Sequence, residues 1–168
     1  MSVERKVIVF VGPKGSGKST LIGALFPELQ VRFTEPPIYR VYETSAGLRV
    51  VEVAPRDEAL RVILAAPPWR IAAALLLVDP QHPLPASPLM ETLIRAAERR
   101  ALVLAKADLA TPEIAGKAAR EAERLSAEFF AVSAATKQGI EELRHWIETG
   151  ERRRAERPPA PAPPATPA

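Results

Sequence analysis

The chain has 168 residues, 47% of them apolar, which suits a single domain of ~100–200 residues with one sizeable core. It contains no cysteine and only two histidines, His82 and His145, which excludes disulfides, a thiolate nucleophile and a Cys- or His-built zinc centre. The net charge of +3 owes much to Arg152, Arg153, Arg154 and Arg157 near the end, so the pI of 9.5 overstates the basic character of the domain and no nucleic-acid binding is read from it.

Arg5 to Val11 is short, apolar and β-branched, the pattern of a buried parallel strand. Gly12-Pro13-Lys14-Gly15-Ser16-Gly17-Lys18-Ser19 follows, and then an apolar, helix-compatible run. This is the phosphate-binding P-loop, Gly-x-x-x-x-Gly-Lys-Ser, in its expected setting of strand, loop and helix. Its glycines let successive backbone N–H groups turn inward around phosphate oxygens. The helix start adds the positive end of its dipole. Gly12, Pro13, Lys14, Gly15, Ser16, Gly17, Lys18, Ser19 and Thr20 are therefore the candidate phosphate-binding residues. Lys18 would place an ammonium on the β- and γ-phosphates and is the candidate catalytic residue. The Ser19 hydroxyl is a candidate Mg²⁺ ligand. Ser19 to Phe26 reads as a helix with Leu21, Ile22 and Leu25 on one face, stopped by Pro27.

Glu28 to Pro37 reads as a loop. Ile38 to Thr44 and Leu48 to Val53 both alternate, and Ser45-Ala46-Gly47 joins them, so this region is a β-hairpin. Such a hairpin puts one antiparallel strand at the edge of an otherwise parallel sheet. Arg56 to Ala66 reads as a helix broken by Pro67-Pro68, and Ile71 to Val78 as a central strand ending at Asp79. A Pro-rich loop, Gln81 to Pro88, leads to an amphipathic helix over Leu89 to Arg100 and a strand over Ala101 to Leu104. Thr111 is a plausible N-cap, with Pro112 at the first turn, of a helix running to about Ala127. Glu128 to Val132 is the last strand, and Gly139 opens a last helix with Ile140, Leu143 and Ile147 on its buried stripe. Trp146 belongs to the core or its rim. The order β-α-β-β-α-β-α-β-α-β-α predicts an α/β three-layer sandwich: a mostly parallel six-stranded sheet with one antiparallel edge strand. Residues 1–150 form the predicted domain. Residues 151–168 read as a basic, then Pro/Ala-rich, disordered tail that serves as solvated chain, tether or docking peptide. No apolar run reaches the ~18 residues of a membrane span, and Glu4-Arg5-Lys6 lacks a signal-peptide pattern, so a cytoplasmic setting is expected.

Two later stretches bear on the base. Ala105-Lys106-Ala107-Asp108 follows the fifth strand, where GTPases place Asn-Lys-x-Asp. There the Asp carboxylate accepts from guanine N1–H and its 2-amino group, a donor pair that adenine lacks, and the Lys stem covers the base or its sugar. Lys106 and Asp108 match, whereas Ala105 replaces the Asn that braces the loop. After the sixth strand, Ser133-Ala134-Ala135 stands where GTPases offer a backbone N–H to guanine O6. P-loop, Lys-x-Asp and Ser-Ala in this order favour guanine over adenine.

With these motifs the chain resembles the translation-factor-like class of small P-loop GTPases. It is most similar to the ethanolamine- and propanediol-utilization GTPase-like proteins of bacterial microcompartments, over Arg5 to about Trp146; Ras-like and Era-like relatives are the alternatives. The resemblance implies GTP or GDP as ligand, Mg²⁺ as cofactor and a protein regulator or effector as partner. It also implies that Thr34 is the switch I threonine, completing the metal's coordination with Ser19. Thr44 is a rival, but it sits in the hairpin. The departure is at switch II, where GTPases carry Asp-x-x-Gly. Here Val51-Glu52-Val53-Ala54-Pro55-Arg56-Asp57-Glu58 has Ala54 or Val53 at the Asp position and no Gly. Glu52 or Asp57 could partly supply the acid, and Asp79 is a further rival, as in ATP-using relatives. The expected function is guanine nucleotide binding with slow or partner-dependent GTP hydrolysis, acting as a switch. The alternatives are a nucleotide-binding scaffold without turnover and an ATP-binding P-loop protein.

Overall fold

A computed structural model of the chain describes residues 5–29, 37–65, 69–85 and 87–152. Thr34 and the tail beyond Arg152 lie outside the described residues, as do the expectations made of them. Six strands, β1 (Arg5–Val11), β2 (Tyr39–Glu43), β3 (Arg49–Val53), β4 (Trp69–Val78), β5 (Arg99–Leu104) and β6 (Glu128–Ala131), form one sheet in the order β2-β3-β1-β4-β5-β6. Every neighbouring pair is parallel except β2 with β3, the predicted antiparallel edge. The helices are α1 (Lys18–Leu25), α2 (Asp57–Ala65), α3 (Pro88–Ala96), α4 (Pro112–Arg124) and α5 (Ile140–Thr149).

The helices divide between the two faces, which makes the predicted three layers. Val7, Val9 and Val11 of β1 point to the side covered by α2, α3 and α4, where they meet Leu60, Ile63, Leu93 and Ala118. Ile8 and Phe10 point to the other side and pack with Leu21, Ile22 and Leu25 of α1 and Leu143 and Trp146 of α5. A strand buried on both faces has no polar side to show, which is why Val7 to Val11 of β1 and Ile71 to Val78 of β4 read as unbroken apolar runs. Trp146 is core, its ring centroid 5.6 Å from that of Phe130.

Two helix ends fall three or more residues short of the sequence expectation. The helix read as ending at Arg100 stops at Ala96, and Arg99 and Arg100 open β5 instead. Their guanidinium groups are used to close other helices: Arg99 donates to the Trp146 and Ile147 carbonyls at 2.7 and 3.3 Å, and Arg100 to the Leu125 carbonyl at 3.2 Å. These carbonyls lie at the ends of α5 and α4, where intrahelical partners run out, although that of Trp146 also accepts from the Gly150 N–H; the two charges that looked like a solvated helix face are tertiary caps. Likewise α4 ends at Arg124 rather than near Ala127, because Ser126 turns the chain at φ 53° into the short run to β6. At its start Thr111 caps as predicted, accepting from the Ile114 N–H at 3.2 Å.

Candidate phosphate and base site

The C-terminal ends of parallel strands are where doubly wound sheets present ligand-binding loops, and here β1, β5 and β6 each deliver one of the predicted motifs. From β1 the loop 12–17 turns through Gly15 and Gly17 in left-handed conformation (φ 80° and 89°) and enters α1 at Lys18. No side chain caps the start of α1, so its first N–H groups face the loop mouth, an arrangement suited to an anion. Gly12 permits close seating: a Cβ there would lie 2.9 Å from the Leu77 carbonyl oxygen of β4 and 2.9 Å from Ser16 Oγ. Lys18 is 6% exposed, and its ammonium donates back across the loop to the Gly12 and Pro13 carbonyls at 2.7 and 3.3 Å.

After β5, Lys106 adopts φ 55° and sends its ammonium to the Gly15 carbonyl at 2.9 Å, tying the base motif to the phosphate loop. The 3-10 turn Ala107–Leu109 is held to the segment after β6 by the Ala107 N–H on the Val132 carbonyl, 2.9 Å, and carries exposed Asp108. After β6, the loop closes on itself: the Ser133 N–H donates to the Gln138 carbonyl at 2.9 Å and Ser133 Oγ accepts from the Thr136 N–H at 3.1 Å. These three loops enclose a cavity of about 220 Å³. Of the predicted residues, Ser16, Gly17, Thr20, Lys106, Asp108, Ser133, Ala134 and Ala135 line it, with Ala105 and Leu109 beside them. Gly12, Pro13, Lys14, Gly15, Lys18 and Ser19 do not line it; they belong to the adjoining phosphate loop and helix start.

Of the acids weighed in the sequence, Glu52 is the one that meets the phosphate loop. Glu52, one residue before the end of β3, is 2% exposed, and its Oε2 accepts from Ser19 Oγ at 2.5 Å. Its other oxygen accepts from the Tyr42 hydroxyl of β2 at 3.0 Å. The remaining rivals are engaged elsewhere. Asp79 accepts from the Gln81 and His82 N–H groups at 2.8 Å each and closes its own turn. Asp57 accepts from Ser87 Oγ at 2.8 Å, at the α2–α3 side. Glu52 is a charge in an apolar run, Val50-Val51-Glu52-Val53, and a buried carboxylate is costly unless hydroxyls or cations meet it. Pro55, three residues further on, has no N–H to donate.

No protein-family model and no curated protein matches the chain. Solved structures do. The apo form of translation elongation factor SelB from Methanococcus maripaludis superposes with TM-score 0.64 at 21% identity over 89% of this chain, and the same factor in complex with the GTP analogue GppNHp with TM-score 0.60 at 18% identity over 90%. The chain spans only 35% of the SelB length. A protein described as a probable GTP-binding protein EngB superposes with TM-score 0.61 at 19% identity, over 87% of this chain and 99% of that one. The fold is thus one that GTP-binding proteins use.

Proposed function

We propose that this chain binds a guanine nucleotide with Mg²⁺ as a small GTPase-like protein. The observation that carries the reading is the single cavity that Lys106, Asp108 and Ser133–Ala135 share with the P-loop residues Ser16, Gly17 and Thr20. Base recognition and phosphate binding are then continuous. The Asp108 carboxylate would accept from the guanine N1–H and 2-amino groups, the Lys106 stem would cover the base edge, and the Ala134–Ala135 backbone would meet O6. On the phosphate side the loop N–H groups and the Lys18 ammonium would bind the β- and γ-phosphates, with Lys18 exchanging its carbonyl partners for phosphate oxygens.

The donor set fits the cation. Ser19 Oγ donates its proton to a buried carboxylate, which leaves its lone pairs available to a hard metal, and Mg²⁺ sites of this kind take one or two protein oxygens plus phosphate oxygens and water. Mg²⁺ supplies charge neutralisation on the phosphates. Ser19 and, by the family resemblance, Thr34 would hold it, with Glu52 orienting Ser19. Hydrolysis, GTP to GDP and phosphate, would be slow or dependent on a protein partner, because no switch II glycine N–H and no suitably placed Gln orients a water. The finer resemblance to the ethanolamine- and propanediol-utilization GTPase-like proteins rests on the sequence motifs alone, as do the switch role, the protein partner and the cytoplasmic setting. Among the described residues no helix is long and apolar enough to cross a membrane.

The test is a titration with fluorescent GDP, GTP and ATP analogues, repeated on Asp108→Asn. The parent should prefer guanine, and the variant should lose GTP and gain xanthine nucleotides. Equal binding of ATP and GTP by the parent overturns the base assignment. Pro55 favours a second reading, a nucleotide-binding scaffold; tight binding with no GTP hydrolysis above background would decide for it.

A further inference from the structure

We propose that the Tyr42 hydroxyl is a positioning group for the metal: it holds Glu52 where Glu52 can orient Ser19, and so sets how tightly Mg²⁺ binds. The inference rests on the nucleotide-binding reading and adds to it a control on the outermost strand of the sheet.

The geometry is a three-member chain. Tyr42 donates to Glu52 Oε1 at 3.0 Å, and Ser19 donates to Glu52 Oε2 at 2.5 Å. Each carboxylate oxygen therefore has its own hydroxyl, and the side chain is fixed in one orientation although it has several rotatable bonds. A hydroxyl can give its single proton to only one acceptor. While Glu52 takes it, the Ser19 lone pairs are left for a cation. Partners one step removed from a metal ligand act in this way, fixing the ligand's orientation and raising its basicity.

Tyr42 reaches Glu52 because of strand register. In the β2–β3 ladder Tyr42 stands opposite Val50 and Arg40 opposite Glu52, so Tyr42 and Glu52 are diagonal neighbours on one face, within reach of a long side chain. A slip by one residue would send the phenol to the other face. The Tyr42 pKa is raised, first by burial and then by the Glu52 charge, with Arg40 opposing. The phenol thus keeps its proton and remains a donor. A glutamate needs this second support more than a shorter acid would, since its extra methylene adds a free torsion.

The experiment compares the full chain with Tyr42→Phe and Glu52→Gln. Fluorescent GDP affinity is measured in EDTA and then across a Mg²⁺ series, and Mn²⁺ binding to the GDP complex is followed by electron paramagnetic resonance. Tyr42→Phe should keep the GDP affinity seen in EDTA while raising the metal midpoint about tenfold, the usual cost of losing an outer-shell partner. Glu52→Gln should raise it at least as far, and the double variant should add nothing to Glu52→Gln alone. An unchanged midpoint in either single variant overturns the proposal. So does an equal loss of GDP affinity in EDTA, which would mark Tyr42 as merely structural. A parent that binds no nucleotide overturns the functional reading and this proposal together, whereas a parent with tight, metal-dependent GDP binding and a silent Tyr42→Phe overturns the proposal alone.

Discussion

Replacing Gly139 by alanine should damage fold and site together, and the structure allows the cost to be worked out. Gly139 precedes α5 at φ 72°, and a Cβ there would lie 2.6 Å from the Ala131 carbonyl oxygen and 3.0 Å from Val132 Cγ1. The left-handed backbone costs an alanine about 1–2 kcal/mol. The clash is with strand backbone, which cannot swing aside, and overpacking of this kind costs about 1–3 kcal/mol. Together they remove about 2–5 kcal/mol from a total stability of roughly 5–15 kcal/mol. Gly47 separates the two contributions, because it has φ 81° but only open space around its missing Cβ. Gly47→Ala should therefore show only the backbone cost. At about 2–4 °C per kcal/mol for a chain of this size, Gly139→Ala should melt roughly 2–12 °C below Gly47→Ala in a calorimetric or circular-dichroism scan. The clash also pushes on the Ser133–Gln138 closure, so Gly139→Ala should weaken fluorescent GDP binding and Gly47→Ala should not. Equal melting shifts for the two variants would refute the reasoning.

Lys106→Met keeps the aliphatic stem but removes the bond from Nζ to the Gly15 carbonyl. Because that bond is exposed, melting should hardly change, while GDP affinity measured by fluorescence titration should fall by about tenfold, one charge-assisted hydrogen bond discounted for solvent. On the far side of the sheet, Arg124 meets both oxygens of Glu91 at 3.0 Å each. The Arg124 hydrogen bonds hold the Glu91 carboxyl below its ordinary 4.5, with Arg95 adding to the effect. A carboxylate depressed in this way contributes stability that is present above its unfolded pKa and lost as pH falls through the lower folded value. A carboxyl-carbon NMR titration should place Glu91 below 4.5 in the parent and nearer to it in Arg124→Gln, with the gap shrinking in high salt.

The sheet and the phosphate loop were legible because their signals are local. β1 and β4 are buried on both faces and carry unbroken apolar runs, the hairpin alternates on either side of Ser45-Ala46-Gly47, and the loop's residue types follow from phosphate chemistry. Arg99 and Arg100 misled because their purpose is tertiary: they cap α5 and the end of α4, and no local pattern distinguishes that from a solvated helix face. Glu52 was half legible. Its burial in an apolar strand was a signal, but the expectation of an acid just after the strand drew attention to Ala54 and Val53. Tyr42 was not legible at all. Its contact with Glu52 depends on the diagonal of a register that only the paired strands define.

In the proposed reading, the stretch from Glu52 at the end of β3 to Arg56 has two separable jobs, and this chain divides them. One job belongs to a side chain: an acid must accept from the P-loop serine so that the serine can face a metal. Glu52 is built for that, buried and bonded to Ser19 and Tyr42. The other job belongs to the backbone: an N–H must meet the γ-phosphate, so that its loss on hydrolysis releases the loop. Pro55 cannot do that, because proline has no N–H. Ala54 is also committed, its N–H donating to the Ile38 carbonyl at 2.8 Å, and the Arg56 N–H donates to the Ala54 carbonyl at 2.8 Å. The segment is thus fastened to its own chain where a switch would be free to sample the phosphate. In the proposed reading, gripping nucleotide and metal survives without the device that distinguishes triphosphate from diphosphate. GDP and GTP should then bind with similar affinity at saturating Mg²⁺, and a GTP preference above about tenfold, the size of a typical coupling between states, would mean that another segment has taken over the sensing.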